Sequence, residues 1–287
     1  MRAIKRRRVG FYFVLPWLIG FLLFTTFPLI AALYIGFTDW NIAGQANFIG
    51  FENYTSLLQD ATFWHSLWVT FRYAIIAVPM TTVVAFTVAL ILSKEMRGVG
   101  LFRVIFYMPA IVSGAAVAVI FKWILDPNFG LINGFLNLFG IVGPDWLYDP
   151  SWVLPSYLVL ALWGAGSGLF IFLAAIKDVP KALHESAIID GANVFRRTFH
   201  ITLPLVTPIV FYSLVMGIIG AFRKFTDAFI LGGAGGEGEF VMVYLYNLAF
   251  MDYRMGRATA LAWILFIIIL TLTILLNVSK KYWVHKE

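Results

Sequence analysis

Six long apolar segments constrain the fold of this chain more than any other feature of the sequence. They are predicted near residues 11–38, 67–93, 102–124, 152–176, 200–222 and 258–279. Each reaches the roughly 20 residues that a helix needs to cross about 30 Å of hydrocarbon. Because backbone groups in lipid must be satisfied within the protein, such segments cross as helices. The sequence therefore predicts an all-α, polytopic membrane bundle of six transmembrane helices.

Composition supports the membrane class and a single domain. Hydrophobic residues make up 61% of the 287 positions and charged residues only 13%, whereas soluble domains are about half apolar and a quarter charged. We expect one transmembrane domain over residues 1–287, with a first helix at 11–38 and a five-helix core at 67–279. The chain has no cysteine, which excludes disulfides and thiolate-bound metals.

Lysine and arginine predict the orientation, because cytoplasmic loops retain them. An N-in, C-in arrangement leaves six of the 21 basic residues outside, namely Arg72, Lys122, Arg223, Lys224, Arg254 and Arg257. The other fifteen are then cytoplasmic: Arg2, Lys5, Arg6, Arg7, Arg8, Lys94, Arg97, Arg103, Lys177, Lys181, Arg196, Arg197, Lys280, Lys281 and Lys286. Since these residues cluster beside apolar segments, the net charge of +6 does not indicate nucleic acid. No cleavage site follows the first basic cluster, so we expect the first helix to be retained.

The predicted spans contain no Asp or Glu, and Arg72 and Lys122 lie near outer ends. Carriers driven by ions usually bury ionisable groups in the membrane. Their absence favours an energy source outside this chain, although Na⁺ can also be held by carbonyl and hydroxyl oxygens.

The polar loop at 177–200 reads KDVPKALHESAIIDGANVFRRTFH. We predict that Asp178 caps a short helix and that Pro180 lies in its first turn. Leu183, Ala187 and Ile188 fall on one face of that helix. Gly191 can end it in the left-handed conformation. A second short stretch then leads into the fifth span. A connector resting in lipid headgroups and a docking helix both fit this pattern.

A resemblance favours docking. Glu185, Ala187 and Asp190-Gly191-Ala192, followed by Ile201, Leu203 and Pro204, are spaced as in the EAA loop of importer-type ABC permeases. Ser186 stands where that family usually has Ala. The resemblance implies the type I ABC importer permease fold, with this loop as the helix that couples the permease to an ATPase subunit. It also implies polar contacts from Glu185 and Asp190, close approach at Ala187 and Ala192, and a bend at Gly191.

Further motifs resemble the carbohydrate-uptake permeases of the maltose and glycerol-phosphate type, first subunit. They are Leu15-Pro16, Phe27-Pro28-Leu29, Phe37-Thr38-Asp39-Trp40, Gly50-Phe51-Glu52-Asn53-Tyr54, Asp60, Phe63-Trp64, Met108-Pro109, Trp123, Asp126-Pro127-Asn128-Phe129-Gly130, Asp145-Trp146-Leu147, Tyr244-Leu245-Tyr246, Ala249-Phe250 and Met255-Gly256. The loop at 231–238 departs from the family pattern.

The resemblance implies a multi-pass subunit of a bacterial cytoplasmic (inner) membrane importer. Its implied partners are a second homologous permease, two copies of an ABC ATPase, an extracytoplasmic solute-binding protein, membrane lipid and a sugar or oligosaccharide. Mg-ATP would bind to the ATPase, and this chain would hold no cofactor. An importer of a non-carbohydrate solute is the nearest alternative.

The fourth span contains Trp163-Gly164-Ala165-Gly166-Ser167-Gly168. Clustered small residues let helix backbones approach closely. They can also open a cavity beside an aromatic ring. In that case Trp163 and Ser167, and Ser113 of the third span, are candidates for contact with a sugar. Relatives place their substrate site on this helix.

Catalysis and nucleotide binding are not expected. Residues 233–238 fit G-x-G-x-x-G, but the strand and helix that a dinucleotide fold needs are missing, so a flexible loop is favoured. No phosphate-binding loop motif occurs, so this chain should not hydrolyse ATP. The four histidines have no metal-ligand spacing. An ion-coupled secondary transporter would need buried ionisable groups or broken helices, and a membrane enzyme would need a catalytic cluster.

Overall fold

The structure, a computed structural model, describes residues 13–42, 44–94, 96–233 and 236–285. Its helices are α1 (Phe13–Ile35), α2 (Glu52–Leu58), α3 (Ala61–Leu92), α4 (Val99–Ala110), α5 (Gly114–Ile124), α6 (Leu131–Asn137), α7 (Pro150–Asp178), α8 (Lys181–Ile189), α9 (Val194–Leu231), α10 (Val241–Met251) and α11 (Met255–Trp283). The described residues form no strand, and one isolated bridge pairs Thr38 with Phe48. The all-α prediction is confirmed.

Within the part of the chain that the structure describes, five helices are long and apolar enough to cross a membrane: α1, α3, α7, α9 and α11. The third predicted span, 102–124, is wrong as a single straight helix, because α4 and α5 meet at an angle of 93°. Met108–Ala110 forms a 3₁₀ turn, and Ser113 leaves the helical conformation with ψ 130°. Pro109 supplies no backbone N–H, which weakens the helix at this point. The pair counts as the sixth span if both helices cross together.

Contacts divide the chain into two units. The first contains the described residues up to Ala61 together with Leu245–Ile267, and the second contains Thr62–Tyr244 and the described residues from Ile268 onward. The basic residues near the N-terminus and Lys286, which were predicted to be cytoplasmic, lie outside the described residues. Positions 234 and 235 of the glycine-rich loop also lie outside them.

A buried amide organises the first unit. The Asn53 side chain donates hydrogen bonds to the carbonyl oxygens of Gly36, at 3.0 Å, and Thr38, at 2.8 Å. The backbone N–H of Gly256 donates to the carbonyl oxygen of Trp40 at 3.0 Å. A Cβ at Gly256 would lie only 2.0 Å from the Thr38 carbonyl oxygen. The start of α11 therefore approaches this turn as closely as only glycine permits.

Small side chains let three long helices of the second unit pack closely. The core cluster joins residues of α3, α7 and α9 and includes Ala85, Ala89, Leu169, Phe172 and Val206. A Cβ at Gly168 would contact the Ala85 methyl at 3.3 Å, and one at Gly217 would meet Val78 at 2.6 Å. Glycine therefore brings α7 and α9 up to α3.

The loop between α9 and α10 is attached to the rest of the second unit, a feature that the sequence did not predict. Glu237 forms an ion pair with Arg72 of α3. The Thr70 hydroxyl accepts a hydrogen bond from the Val241 N–H at 2.9 Å. The Tyr157 hydroxyl donates to the Gly232 carbonyl oxygen at 2.7 Å. The described residues of this loop are therefore held by α3 and α7.

Candidate functional site

Helix α8 begins differently from the sequence prediction. Asp178 is the last residue of α7, and its side chain caps nothing at the start of α8. Val179 and Pro180 are extended, with ψ 123° and 126°, and Pro180 occupies the N-cap position. The expected Asp178 cap is therefore wrong, because α7 continues two residues further than predicted, to Asp178 itself, and Pro180 takes the N-cap position of α8.

Gly191 ends α8 in the left-handed conformation, with φ +77°. The Ala192 N–H donates to the Ala187 carbonyl oxygen at 2.8 Å, and the Gly191 N–H donates to that of Ile188 at 3.0 Å. Both bonds satisfy carbonyl groups that the helix end would leave unpaired. A Cβ at Gly191 would meet nothing within 4 Å. Backbone conformation, and not space, therefore favours glycine here, and the predicted left-handed end of the helix is confirmed.

Helix α9 starts directly after this bend. The Asn193 side chain accepts a hydrogen bond from the Arg196 N–H at 2.9 Å and so caps the helix. The helix then passes through a π turn at Thr198–Thr202 into Leu203–Phe222 without a break at Pro204. The separate short stretch predicted before the fifth span is thus the first part of that helix. Ile201 packs against the core cluster of the second unit.

The surface of α8 and the first turn of α9 combines exposed apolar and acidic side chains. Ile188, Ile189 and Phe195 are exposed by 55%, 87% and 76%. Glu185, Ser186, Asp190 and Gly191 are exposed as well, whereas Ala187, Ala192, Ile201, Leu203 and Pro204 are partly buried. Apolar groups gathered at a polar surface are typical of a binding site for another protein or for lipid.

The second unit contains a cavity of about 450 Å³, here called the main cavity, between α3, α7 and α9. Its lining is largely small and apolar, with polar groups at a few positions. These polar residues are Tyr73, Thr81, Thr82, Ser167, Tyr212, Ser213 and Lys224. Hydroxyl groups on apolar walls are what a small-molecule site needs to orient a polar ligand.

A second cavity of about 300 Å³ is lined by Trp163, Gly164, Thr226 and Asp227, among others. Gly164 lines the main cavity too, so the two cavities adjoin. The Trp163 ring packs edge-on against Phe121, with centroids 5.6 Å apart. This second cavity joins an aromatic ring, a hydroxyl and a carboxylate.

The structure corrects the expectation that Trp163, Ser167 and Ser113 share one cavity. Ser167 lines the main cavity and Trp163 the second, while Ser113 occupies the N-cap position of α5, makes no capping hydrogen bond with its side chain, and lines neither cavity. Residues four apart lie on one face of an α-helix. Gly164–Gly168 instead forms a 3₁₀ turn, which has about 3.0 residues per turn and rotates the fourth residue away.

The small residues in α7 serve close helix packing at one position and line a cavity at others, so both interpretations of the sequence hold. A Cβ at Gly166 would lie 1.7 Å from the Phe106 carbonyl oxygen, so this glycine serves close packing against α4. Gly164, Ser167 and Gly168 line the main cavity.

Sequence reasoning missed an ion pair between Lys224 and Asp227. The predicted fifth span ended at 222, whereas α9 extends to Leu231 and includes this acid. The Lys224 ammonium lies 4.8 Å from the Tyr73 ring centroid and 5.4 Å from that of Tyr157. Opposite charges three residues apart beside a predicted span end were the signal available in the sequence.

Among the described residues, no group of three or more His, Cys, Asp or Glu side chains is arranged to hold a metal ion. An all-helical set of membrane-length helices with polar cavities is typical of a transport subunit. The chain belongs to the family described as "Binding-protein-dependent transport system inner membrane component", whose model matches residues 82–286.

Relatives agree with this assignment along the whole chain. The probable ABC transporter permease protein YesP of Bacillus subtilis (strain 168) is 38% identical and aligns with 100% of this chain and 95% of its own length. The arabinooligosaccharides transport system permease protein AraP of the same organism is 30% identical, over 94% of this chain and 88% of its own. This chain is thus a permease of the ABC transporter type.

A solved structure of similar fold is a bacterial ABC transporter involved in the import of the acidic polysaccharide alginate. One of its chains matches with a TM-score of 0.87 and 25% identity, over 98% of this chain and 97% of that one. A chain of the alginate transporter in complex with an alginate pentasaccharide-bound periplasmic protein matches with a TM-score of 0.86. The predicted type I ABC importer permease fold is confirmed.

Proposed function

We propose that this chain is the permease subunit of an ATP-driven, binding-protein-dependent importer of a sugar or oligosaccharide in the bacterial cytoplasmic membrane. One observation carries the proposal: the family match at 82–286 includes both the exposed helix α8 and most residues of the main cavity. The relatives' names support a saccharide, since they include arabinooligosaccharide and trehalose/maltose permeases. The chain conducts the solute and performs no covalent chemistry.

The importer is completed by partners. A second homologous permease forms the other half of the pathway, two copies of an ABC ATPase dock on the coupling helices, and an extracytoplasmic protein delivers the solute. The exposed Ile188, Ile189 and Phe195 favour docking of the ATPase at α8. The alginate transporter in complex with a periplasmic protein supports the delivery partner. Mg-ATP is bound by the ATPase.

Helix α9 is the mechanical connection in this proposal. Glu185 and Asp190 contact the ATPase, while Ala187 and Ala192 allow its close approach. The turn at Gly191–Asn193 joins α8 to α9, which runs for 38 residues with a short break at 223–225. Tyr212, Ser213 and Lys224 line the main cavity from this same helix. ATP-driven movement of α8 therefore reaches the wall of the main cavity through α9 and switches the side of the membrane to which the cavity opens. Residues 1–287 act as one transmembrane domain.

Co-purification from native membranes tests the assembly, and uptake into proteoliposomes tests the activity. We expect an ATPase and a second permease to accompany this chain, and labelled oligosaccharide to enter only with ATP and the binding protein. Uptake by the purified chain alone would support an ion-coupled transporter and contradict the proposal. ATP-driven uptake of a solute other than a saccharide would contradict the substrate class alone.

A further inference from the structure

Lys224 is the one charged side chain among the described residues that line the main cavity. It lies in the break of α9 at 223–225, and its side chain is only 10% exposed. Its ammonium group faces the rings of Tyr73, Tyr157 and Phe240 at centroid distances of 4.8, 5.4 and 5.9 Å. Three ring faces and one carboxylate hold this cation in a fixed position at the cavity wall.

Asp227 places a negative charge at the wall of the second cavity. Its carboxylate pairs with Lys224 and accepts a hydrogen bond from the Ala228 N–H at 3.1 Å. Asp227 lines the second cavity beside Trp163 and Thr226 and is absent from the lining of the main cavity. The pair therefore presents an ammonium to one cavity and a carboxylate to the other, with Gly164 bordering both.

This arrangement differs from an ion pair that only supports the fold. Arg72 and Glu237 also pair within the second unit, yet neither lines the main or the second cavity. Lys224 and Asp227 each line one. Removing one member of a poorly solvated pair exposes the full charge of the other to its surroundings. A solute passing from one cavity to the other would meet that unbalanced charge.

We propose, building on the proposed saccharide importer, that Lys224 and Asp227 contact the transported saccharide from their two cavities and that their mutual neutralisation sets the charge preference of the pathway. Lys224 donates hydrogen bonds to saccharide oxygens, and Asp227 accepts hydrogen bonds from saccharide hydroxyl groups. With both charges present the pathway has no strong preference for either sign, and loss of one residue biases it toward solutes of the lost sign.

Binding of two oligosaccharides of equal length tests the proposal. The probes are maltotriose, which is uncharged, and trigalacturonate, which carries three carboxylates. Each is measured by equilibrium dialysis at millimolar concentration against the complete, nucleotide-free importer without its binding protein. We expect Asp227→Asn to raise the trigalacturonate-to-maltotriose affinity ratio about tenfold and Lys224→Met to lower it about tenfold. The double variant Lys224→Met/Asp227→Asn should stay within about threefold of the wild-type ratio.

Matched control variants distinguish direct contact with the saccharide from a purely structural role of the ion pair. Arg72→Met and Glu237→Gln change the charge by the same amounts at the pair outside both cavities, and should leave the ratio unchanged. A structural role for Lys224 and Asp227 would lower both affinities together without moving the ratio. If a single variant does not give monodisperse importer, Thr226→Lys should raise the ratio and Thr226→Asp should lower it, because Thr226 is exposed and lines the second cavity.

An unchanged ratio in the single variants, or no binding of either probe to the wild type, would overturn the proposal. ATP-driven saccharide uptake is scored separately, with the same importer reconstituted in proteoliposomes and supplied with ATP and the binding protein. If uptake is present and the ratio does not move, the charge-setting role fails while the proposed importer function stands. If uptake and co-purification both fail, the importer function itself is contradicted.

Discussion

At the residue scale, Gly191 connects backbone conformation to the proposed function most directly. Its φ of +77° lies where L-residues other than Asn and Asp are seldom found, and the neighbouring space is empty. A side chain added here changes the direction of the chain without meeting a neighbour. The direction of α8 relative to α9 therefore depends on this one position.

Gly191→Val should abolish ATP-driven uptake, to below about a tenth of wild type, while the protein still inserts in the membrane. A β-branched residue strongly disfavours this φ, so the turn after α8 must change. Gly191→Asn is the matched control, because asparagine tolerates the left-handed region, and it should retain most uptake. Proteoliposome uptake, normalised to inserted protein, is the measurement. Wild-type uptake by a well-inserted valine variant would contradict the role of the bend.

Asp39 gives a second prediction at this scale. The Asn47 side chain donates to one Asp39 oxygen at 3.0 Å and the Asn47 N–H donates to the other at 2.8 Å, which lowers the pKa of this carboxyl below its ordinary 3.8. A carboxyl group whose pKa is lower in the folded than in the unfolded state stabilises the fold at pH values above its unfolded-state pKa. This stabilisation is lost as the pH falls through the folded-state pKa. The Asp39–Asn47 turn should therefore loosen only in acid below about pH 4.

Carbon-detected NMR of the Asp39 carboxyl in detergent micelles would measure this. We expect a midpoint below 3.8 in the wild type and a higher one in Asn47→Ala, which removes the side-chain hydrogen bond but keeps the backbone one. Equal midpoints in the two proteins would show that the side chain of Asn47 does not stabilise the charged form.

At the element scale, length and apolar composition predicted the long helices but not their breaks. The apolar segments of α3, α7, α9 and α11 were all evident because a helix needs only length and composition to cross lipid. The 93° bend between α4 and α5 was missed, since it depends on a short 3₁₀ turn that leaves overall hydropathy unchanged. The same kind of turn at Gly164–Gly168 separated Trp163 from Ser167.

Packing of α7 against α4 yields a testable consequence. A Cβ at Gly166 would lie 1.7 Å from the Phe106 carbonyl oxygen, whereas one at Gly164 would meet nothing within 4 Å. Gly166→Ala should therefore destabilise the protein, by about 1–3 kcal/mol as is usual for overpacking. Gly164→Ala, in the same 3₁₀ turn, should leave stability almost unchanged.

Thermal unfolding of the purified variants, followed by intrinsic fluorescence in detergent, distinguishes the two. Gly166→Ala should melt several degrees below both the wild type and Gly164→Ala. Equal melting temperatures for the two alanine variants would mean that α4 and α7 separate without cost and that this contact does not hold them.

At the scale of the whole molecule, the polar loop at 177–200, which is proposed to couple the permease to the ATPase, was the most predictable candidate site, and the cavities were the least predictable. The spacing from Glu185 to Pro204 is contained in one stretch of sequence, so local patterns sufficed to find it. The main cavity collects Tyr73, Ser167 and Lys224 from three helices far apart in the chain. Hydropathy cannot predict which side chains such helices bring together, and an end placed at 222 hid the Lys224–Asp227 pair.

The central claim is that α8 faces the cytosol and carries movement from the ATPase into α9. The chain has no cysteine, so Ile189→Cys introduces a single thiol in this chain, at a position 87% exposed. The reporter is ATP-driven uptake after treatment with a bulky, membrane-impermeant maleimide applied from one side of the membrane only. The untreated variant and the treated wild-type importer serve as controls.

We predict that the reagent stops uptake when applied from the cytosolic side and has no effect from the other side, because it blocks the contact between α8 and the ATPase. Inhibition from the external side alone, or full uptake by protein shown to be modified at position 189, would contradict the account.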